Sequence, residues 1–290
     1  MSTHRFLNTS IATFCICVLL IFSTAAQANP RWHWEDRFSD SERENLTDWV
    51  RHAHAGLVNL IGDLPYGYDV YFHRSERSRE PVPWAHTWKY WNRRAVNFHV
   101  DPRYSNRDFE RDWTAYHELA HLMFPYLGRS GMWFAEGIAS YLQYQAMYAA
   151  GELSWAQAIG RYEKRFTAAQ KYRRLDNYAV IDLAHIGSRS GRNVRLYWGG
   201  AAYFMEVDRR LAAERGMRLH DVIRDYLDCC FGSRGRGAMG MIRTFDQISD
   251  SDIFSDVYAE TVKLKGFPET GESLAWLAGN PPPVSSVHGS

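Results

Sequence analysis

The sequence predicts an α+β protein, in which a small helix-plus-β-sheet section comes first and a mostly helical section follows. Two short segments before residue 102 alternate polar and apolar residues and are rich in β-forming side chains. After residue 104 the apolar residues recur mainly at helical spacing. Because strands gather at one end of the chain and helices at the other, this order favours α+β over a repeated βαβ unit.

The first section contains one predicted helix and two predicted strands. The helix covers Ser39–Gly62, where apolar residues recur near a period of 3.6 and Ser41 precedes Glu44 at the spacing of a capping box. The first strand is "YDVYFHRS", which begins at Tyr68, and the second is Ala95–Asp101, which a proline ends. The second strand leads directly into the helical section.

Six further segments are predicted to be helical. The first starts from a cap at Ser105 or Asn106, Gly151 separates the second from the third, and Gly216 closes the fourth. The sixth is expected to be broken. The segments are "SNRDFERDWTAYHELAHLMF", "MWFAEGIASYLQYQAMYAA", "SWAQAIGRYEKRFTAAQKY", "YWGGAAYFMEVDRRLAAERG", "LHDVIRDYL" and "DQISDSDIFSDVYAETVKLKG".

Three parts are predicted along the chain: a signal peptide over residues 1–28, a single domain over 29–275 and a disordered tail over 276–290. The first part has a basic start at Arg5, a short apolar run and small residues at its end, which predicts cleavage after Ala28. Its apolar run is shorter than the ~20 residues of a spanning helix. We therefore expect a periplasmic or secreted protein without a stable membrane span.

Composition excludes some classes of protein. Hydrophobic residues make up 46% of the chain and charged residues 23%, which is typical of a globular protein with a sizeable core. The formal net charge of +1 gives no indication of nucleic-acid binding. After signal cleavage the remaining cysteines are the adjacent pair Cys229 and Cys230. Neighbouring Cα atoms lie ~3.8 Å apart, below the usual disulfide range, so free or intermolecularly paired thiols are favoured over a vicinal bridge.

The stretch "AYHELAHLMF" contains the candidate metal-binding and catalytic residues. His117 and His121 are four residues apart, so on a helix both imidazoles face the same way and can bind one zinc ion. Glu118 lies one step round the helix, where it can act as general base beside the metal without binding it. The alternative is a helix whose histidines form hydrogen bonds in the core.

Glu136 is the candidate third ligand of a single zinc ion. A charge in the apolar segment "MWFAEGIASYLQ" is unfavourable unless it is paired or bound to a metal. The linker "PYLGRSG" has the residues needed to turn the chain back, which brings Glu136 towards the two histidines. A third histidine at the extended motif spacing is absent, since Phe124 and Leu127 stand at the last two positions of that motif.

These residues resemble the gluzincin zinc metallopeptidases, whose catalytic domain is thermolysin-like. The segment Trp133–Gly137 is similar to the Trp-x-x-Glu-Gly form of the M1 and M61 aminopeptidases, and "LYWGGAAYFMEVDRRL" is similar to their tyrosine-bearing helix. The resemblance covers about Asp101 to Pro268. It implies zinc-dependent hydrolysis of peptide bonds with Tyr197 as donor to the oxyanion; Tyr203 is the alternative donor.

The sequence also departs from that family. Only 14 residues separate His121 from Glu136, and Ser140 stands where thermolysin-like relatives have an acidic residue. The Gly-x-Met-x-Asn signature with which M1 aminopeptidases hold a free N-terminus is missing. The resemblance therefore does not imply exopeptidase specificity.

We expect a peptidase with a peptide or protein substrate, and two alternatives stay open. One is a relative that binds peptides or envelope partners without cutting them, although Glu118 argues against it. The other is an amide hydrolase acting on cell-wall peptide. In either enzyme, the strand Ala95–Asp101 is expected to pair with an extended substrate at its edge. The oligomeric state is not predicted.

Overall fold

The computed structural model describes residues 29–90, 93–231 and 237–284. The first section is a four-stranded sheet built from β1 (Pro30–Trp34), β2 (Tyr68–Arg74), β3 (Trp84–Tyr90) and β4 (Arg93–Val100), with helix α1 (Asp40–Ile61) between β1 and β2. The strand order is β1-β2-β4-β3. β2 pairs in parallel with β1 and β4, and β3 pairs antiparallel to β4.

The predicted helix α1 is confirmed, but its capping box lies two residues earlier than expected. Ser39, not Ser41, is the N-cap: its hydroxyl accepts from the backbone N–H of Glu42, whose carboxylate accepts from the backbone N–H of Ser39. The apolar stripe of the helix is buried against the sheet, and Trp49 contacts Phe98 of β4 at 4.9 Å between ring centroids. α1 thus covers one face of the sheet.

The expectation that Ala95–Asp101 offers its edge to a substrate is wrong. That segment belongs to β4, which pairs with β2 on one side and β3 on the other. The edge strand beside β4 is β3, which was not among the predicted strands. Aromatic side chains alternate along β3 with Ala85, Thr87 and Lys89, which lie on the inner face. Because two of these inner residues are polar, β3 lacks the apolar stripe by which a strand is recognised in a sequence.

Helices form the second section. The predicted helix from Ser105 is split at Asp112, whose carboxylate accepts from the backbone N–H of Thr114 at 2.8 Å. The predicted helix at Tyr197 begins five residues earlier, at Arg192. The helices are α2 (Asn106–Glu110), α3 (Thr114–Leu122), α4 (Met132–Ala149), α5 (Trp155–Gln170), α6 (Arg192–Arg215), α7 (Leu219–Cys229), α8 (Gly237–Ser249), α9 (Ile253–Lys263) and α10 (Gly271–Gly279).

Helices α4 and α6 cross in close contact at two glycines. A Cβ on Gly200 would lie 2.3 Å from the carbonyl oxygen of Trp133, and a Cβ on Gly137 would lie 2.5 Å from the carbonyl carbon of Gly200. No side chain fits between the two backbones. Since Gly137 directly follows Glu136 and Gly200 lies three residues after Tyr197, this crossing sets how closely those two side chains approach.

We expect Gly200→Ala to destabilise the fold by about 1–3 kcal/mol, because the added methyl group overpacks the crossing. Urea unfolding in the presence of a chelator measures this directly. Gly160→Ala is the matched control: Gly160 lies inside α5, and a Cβ added there would have no other atom within 4 Å. That change should stabilise the helix by about 0.5–1 kcal/mol. Equal effects of the two changes would contradict the close crossing.

Asp101, which directly follows β4, makes the free energy of unfolding depend on pH in the acidic range. Arg103 donates to its carboxylate, and with the backbone N–H groups of Arg103 and Ser78 it lowers the pKa of Asp101 to about 2 from 3.8. A lowered pKa contributes stability above the unfolded value, and this contribution is lost as pH falls towards 2. Because Arg103 is 56% exposed, we expect about 1–2 kcal/mol rather than the full shift. Asp101→Asn should remove that amount at pH 6 and only a small part of it at pH 2, as measured by urea unfolding with chelator.

The predicted boundary between the domain and the C-terminal tail, at residue 275, is wrong. Helix α10 continues past residue 275 to Gly279, and Leu277 is fully buried, so the expected disordered tail does not begin at 276. The predicted signal peptide over 1–28 and the last six residues, 285–290, lie outside the described residues. Within the described ranges, no helix combines the length and the apolar character needed to cross a membrane.

The prediction of free thiols at the end of α7 is wrong. Cys229 and Cys230 form a vicinal disulfide with a Cα–Cα distance of 3.7 Å. The usual Cα range, on which the prediction relied, does not describe bridges between neighbouring residues.

Candidate functional site

Three residues from two helices converge on one point. His117 and His121 project from the same face of α3, and Glu136 projects from the second turn of α4. The Nε2 atoms of His117 and His121 lie 3.2 Å and 3.4 Å from the same carboxylate oxygen of Glu136. The three side chains form the group with metal-ligand geometry found in the described ranges, with ligand atoms within 4.8 Å of one another.

The donor set fits zinc. Two imidazole nitrogens and one carboxylate oxygen are the ligands of many catalytic zinc sites, which leave a further position open. Gln143, about two turns further along α4, also fits: its side-chain oxygen lies 2.9 Å from Nδ1 of His117. An acceptor there holds the proton on Nδ1, which leaves the Nε2 lone pair directed at Glu136 and free for a metal.

Electrostatics keep Glu136 ionised. Burial raises the pKa of its carboxyl group, but the neighbouring imidazoles of His121 and His117 outweigh this and hold the pKa well below its usual range. Burial lowers the pKa of the His117 imidazole, whereas its contact with Glu136 raises it, with a net upward direction. Positive charge is thus favoured where the three side chains meet.

Glu118 lies beside this group and is held by the edge strand. The hydroxyl of Thr87 on β3 lies 2.8 Å from a carboxylate oxygen of Glu118 and 2.8 Å from its backbone carbonyl oxygen, and it shares its single proton between these two acceptors. Lys89, two residues further along β3, donates to the carbonyls of His121 and Phe124 at 2.6 Å and 3.0 Å. Burial lowers the pKa of Lys89 to about 8. These contacts fix β3 against the end of α3.

The two tyrosines proposed as donors lie in different environments. Tyr197 lines the cleft above the histidines, with its ring stacked on His117 at 6.0 Å between centroids. Burial, and then the carboxylates of Glu136 and Glu118, raise the pKa of Tyr197, so its hydroxyl keeps the proton. Tyr203 is buried, and its hydroxyl donates to the carbonyl of Phe254 at 2.8 Å. Of the two, Tyr197 is the one that can reach a ligand in the cleft.

A cleft of about 880 Å³ contains the candidate metal group together with Thr87, Lys89, Glu118 and Tyr197. The edge of β3 forms one wall, α3 and α4 form the floor, and the start of α6 with the loop before α4 forms the opposite wall. Several polar residues of the site were not predicted, because no local sequence pattern marks them: Thr87, Lys89, Arg129, Gln143, Arg192 and Asn193.

Comparisons with known proteins give a likeness in fold. No known sequence family and no curated protein matches the chain. An aminopeptidase N family protein from Idiomarina loihiensis matches with a TM-score of 0.63 and 16% identity over 87% of this chain and 47% of that one. A mutant two-domain M1 zinc metallopeptidase bound to L-arginine matches with a TM-score of 0.55 and 12% identity, over 84% of this chain and 50% of that one.

A third structure agrees with these two. It is a mutant M1 zinc metallopeptidase from Deinococcus radiodurans, bound to a Tyr-Ser-Ala substrate, with a TM-score of 0.51 and 14% identity over 85% of this chain and 52% of that one. The chain spans about half the length of the structures it matches. At these identities the likeness concerns the fold: the chain has the α+β fold found in M1 zinc metallopeptidases.

Proposed function

We propose that this protein is a zinc-dependent peptidase that acts in the periplasm or outside the cell. The observation that supports this most is the convergence of His117, His121 and Glu136 in a cleft that also contains Glu118 and Tyr197. A group that only held a metal for structural purposes would need neither an open cleft nor a carboxylate beside the ligands.

His117, His121 and Glu136 would hold one zinc ion. When bound, zinc supplies a Lewis acid that polarises the scissile carbonyl and makes a water molecule more acidic. Glu118 accepts the proton of that water and returns it to the leaving nitrogen. The hydrogen bond from Thr87 holds the Glu118 carboxylate in place while it exchanges the proton.

Tyr197 donates a hydrogen bond to the oxygen of the scissile carbonyl as negative charge develops there. Because the burial that raises its pKa keeps the hydroxyl protonated, it remains a donor through the neutral pH range. The substrate backbone can pair with the edge of β3 that pairs with no other strand of the described residues, since β4 takes its other edge. An extended peptide bound there would run along the wall of the cleft above Glu118.

We expect Tyr197→Phe to lower kcat by about 10²–10³-fold while KM changes little, since single oxyanion donors have effects of that size. Tyr203→Phe should lower stability through loss of its buried hydrogen bond, with kcat largely kept. Steady-state kinetics on both variants shows which of the two tyrosines is the donor to the oxyanion. A larger kcat loss for Tyr203→Phe would reverse the assignment.

A peptide library tests the proposal as a whole. The purified protein is loaded with zinc, freed of excess metal and incubated with the library, and products are identified by mass spectrometry. We expect cut peptides that disappear after chelation and return when zinc is added. Bound zinc without cleavage of the library, or of isolated cell-wall peptides, would favour the peptide-binding alternative. Cleavage of cell-wall peptides alone would favour the amide hydrolase.

A further inference from the structure

Two arginines on the wall of the cleft have no carboxylate partner within the described residues. Arg129 precedes α4, Arg192 begins α6, and both line the cleft that contains the candidate metal group. The ion pairs of the described ranges include neither of them. Arginine is always charged in proteins, so each carries a positive charge that no neighbouring acid neutralises.

Neutral acceptors hold both guanidinium groups in place. Nε of Arg129 donates to the carbonyl of Ala184 at 3.0 Å, and one terminal nitrogen of Arg192 donates to the carbonyl of Ile186 at 3.3 Å. Arg192 also donates to the side chain of Asn193 through Nε and its other terminal nitrogen. Because the two carbonyls are two residues apart in one segment, both groups belong to the same wall of the cleft.

Both arginines keep donors for a ligand. A guanidinium has five N–H groups. Arg129 uses only its Nε–H on the described residues, and Arg192 uses three of its five. Arg192 is also the first residue of a helix of 24 residues, where the helix dipole adds partial positive charge. Fixed guanidinium groups with free donors are suited to bind a carboxylate through two parallel hydrogen bonds.

The acids of the cleft do not supply that carboxylate. Glu136 contacts the two histidines, and Glu118 is held by Thr87 on the opposite wall. Glu80 lies near Asp112, whose pKa is raised first by burial and then by the Glu80 carboxylate. The other cation of the cleft, Lys89, is engaged with carbonyls at the end of α3. The wall of Arg129 and Arg192 is therefore a positive surface that faces the space for substrate.

We infer that Arg129 and Arg192 bind a carboxylate of the substrate, which makes the cleft selective for peptides with an acidic group near the scissile bond. The carboxylate comes from an aspartate or glutamate side chain or from a free C-terminus. This inference rests on the proposed peptidase function for its catalytic part. Selective binding of acidic peptides does not depend on hydrolysis and can be measured by itself.

The test uses peptides that differ by one charge. A parent peptide that the enzyme cuts is compared with versions in which each glutamate is replaced by glutamine or the C-terminus is amidated. We expect kcat/KM to fall for the neutral version by about tenfold per arginine engaged, a typical size for a charge-assisted hydrogen bond. The source of the carboxylate is the position whose neutralisation causes the fall.

Variants assign the effect to the two arginines. Arg129→Gln with Arg192→Gln should lower the ratio of acidic to neutral kcat/KM by about 100-fold, and each single change by about tenfold. Arg215→Gln is the matched control, since Arg215 ends the same helix α6, about 35 Å away by helix rise, and forms an exposed ion pair. It should leave the ratio unchanged. Arg192→Lys, which keeps the charge, should retain part of the preference.

A binding measurement separates this inference from the proposed function. In the Glu118→Gln background, fluorescence anisotropy measures the affinity for fluorescein-labelled versions of the acidic and neutral peptides without turnover. We expect tighter binding of the acidic peptide, lost in the double arginine variant and weakened by salt. Equal affinity and equal kcat/KM for acidic and neutral peptides would overturn the inference while leaving a peptidase in place. Selective binding without any hydrolysis would support carboxylate binding by Arg129 and Arg192 and would contradict the proposed peptidase function. Thermal melts of each variant confirm folding.

Discussion

Glu118→Gln is expected to abolish most peptide hydrolysis while leaving the zinc content unchanged. The amide cannot accept the proton of the attacking water, and loss of a positioned general base lowers rates by about 10²–10⁴-fold. Zinc should stay bound, because Glu118 lies outside the group formed by His117, His121 and Glu136. Steady-state kinetics and metal analysis on the same preparation measure both quantities.

Glu80→Gln is the matched control for that change. Glu80 is another carboxylate lining the cleft, and it does not belong to the candidate metal group. The same change of charge there should alter kcat/KM by less than about threefold, the size of a surface effect. If Glu118→Gln hydrolysed peptides at the normal rate with zinc bound, the assignment of the general base would be wrong.

Glu136→Gln is expected to remove zinc. A neutral amide is a poor ligand for zinc, and even residues that only orient ligands change metal affinity by about 10–100-fold, so loss of this carboxylate should exceed about 100-fold. Isothermal titration with zinc on chelator-treated protein measures the affinity. Hydrolysis should disappear together with the metal.

Thermal unfolding measures the loss of zinc binding in Glu136→Gln independently. Zinc at 100 times its Kd stabilises a protein that binds it only when folded by about 2.7 kcal/mol, so the Tm of the wild type should rise on adding zinc. Glu136→Gln should lack that rise, whereas Glu118→Gln should keep it. A normal rise in Tm for Glu136→Gln would show that zinc is held elsewhere.

Local spacing explains the parts of the site that the sequence predicted. The four-residue step of a helix places His117 and His121 together, and the apolar surroundings of Glu136 in the sequence indicated a special role. The linker between the two helices is short, so few arrangements of Glu136 relative to the histidines exist. The α+β organisation followed from the order of strand and helix patterns.

The remainder of the site depends on contacts between distant parts of the chain. Thr87 reaches Glu118 across 31 residues, and its role follows from the position of β3 at the edge of the sheet. The same missed strand led to the wrong expectation for Ala95–Asp101. Arg129 and Arg192 are brought together by the carbonyls of Ala184 and Ile186, in a segment without a periodic pattern. Gln143 resembles any polar residue in a helix until its contact with His117 is seen.

A zinc-edge anomalous difference map from a crystal of the zinc-loaded protein shows whether His117, His121 and Glu136 hold the metal. We expect one strong peak about 2.0–2.2 Å from the Nε2 atoms of His117 and His121 and from a carboxylate oxygen of Glu136. Glu118 should stand beside the peak without direct contact. A peak at another group of histidines, or no peak after loading with zinc, would contradict the account.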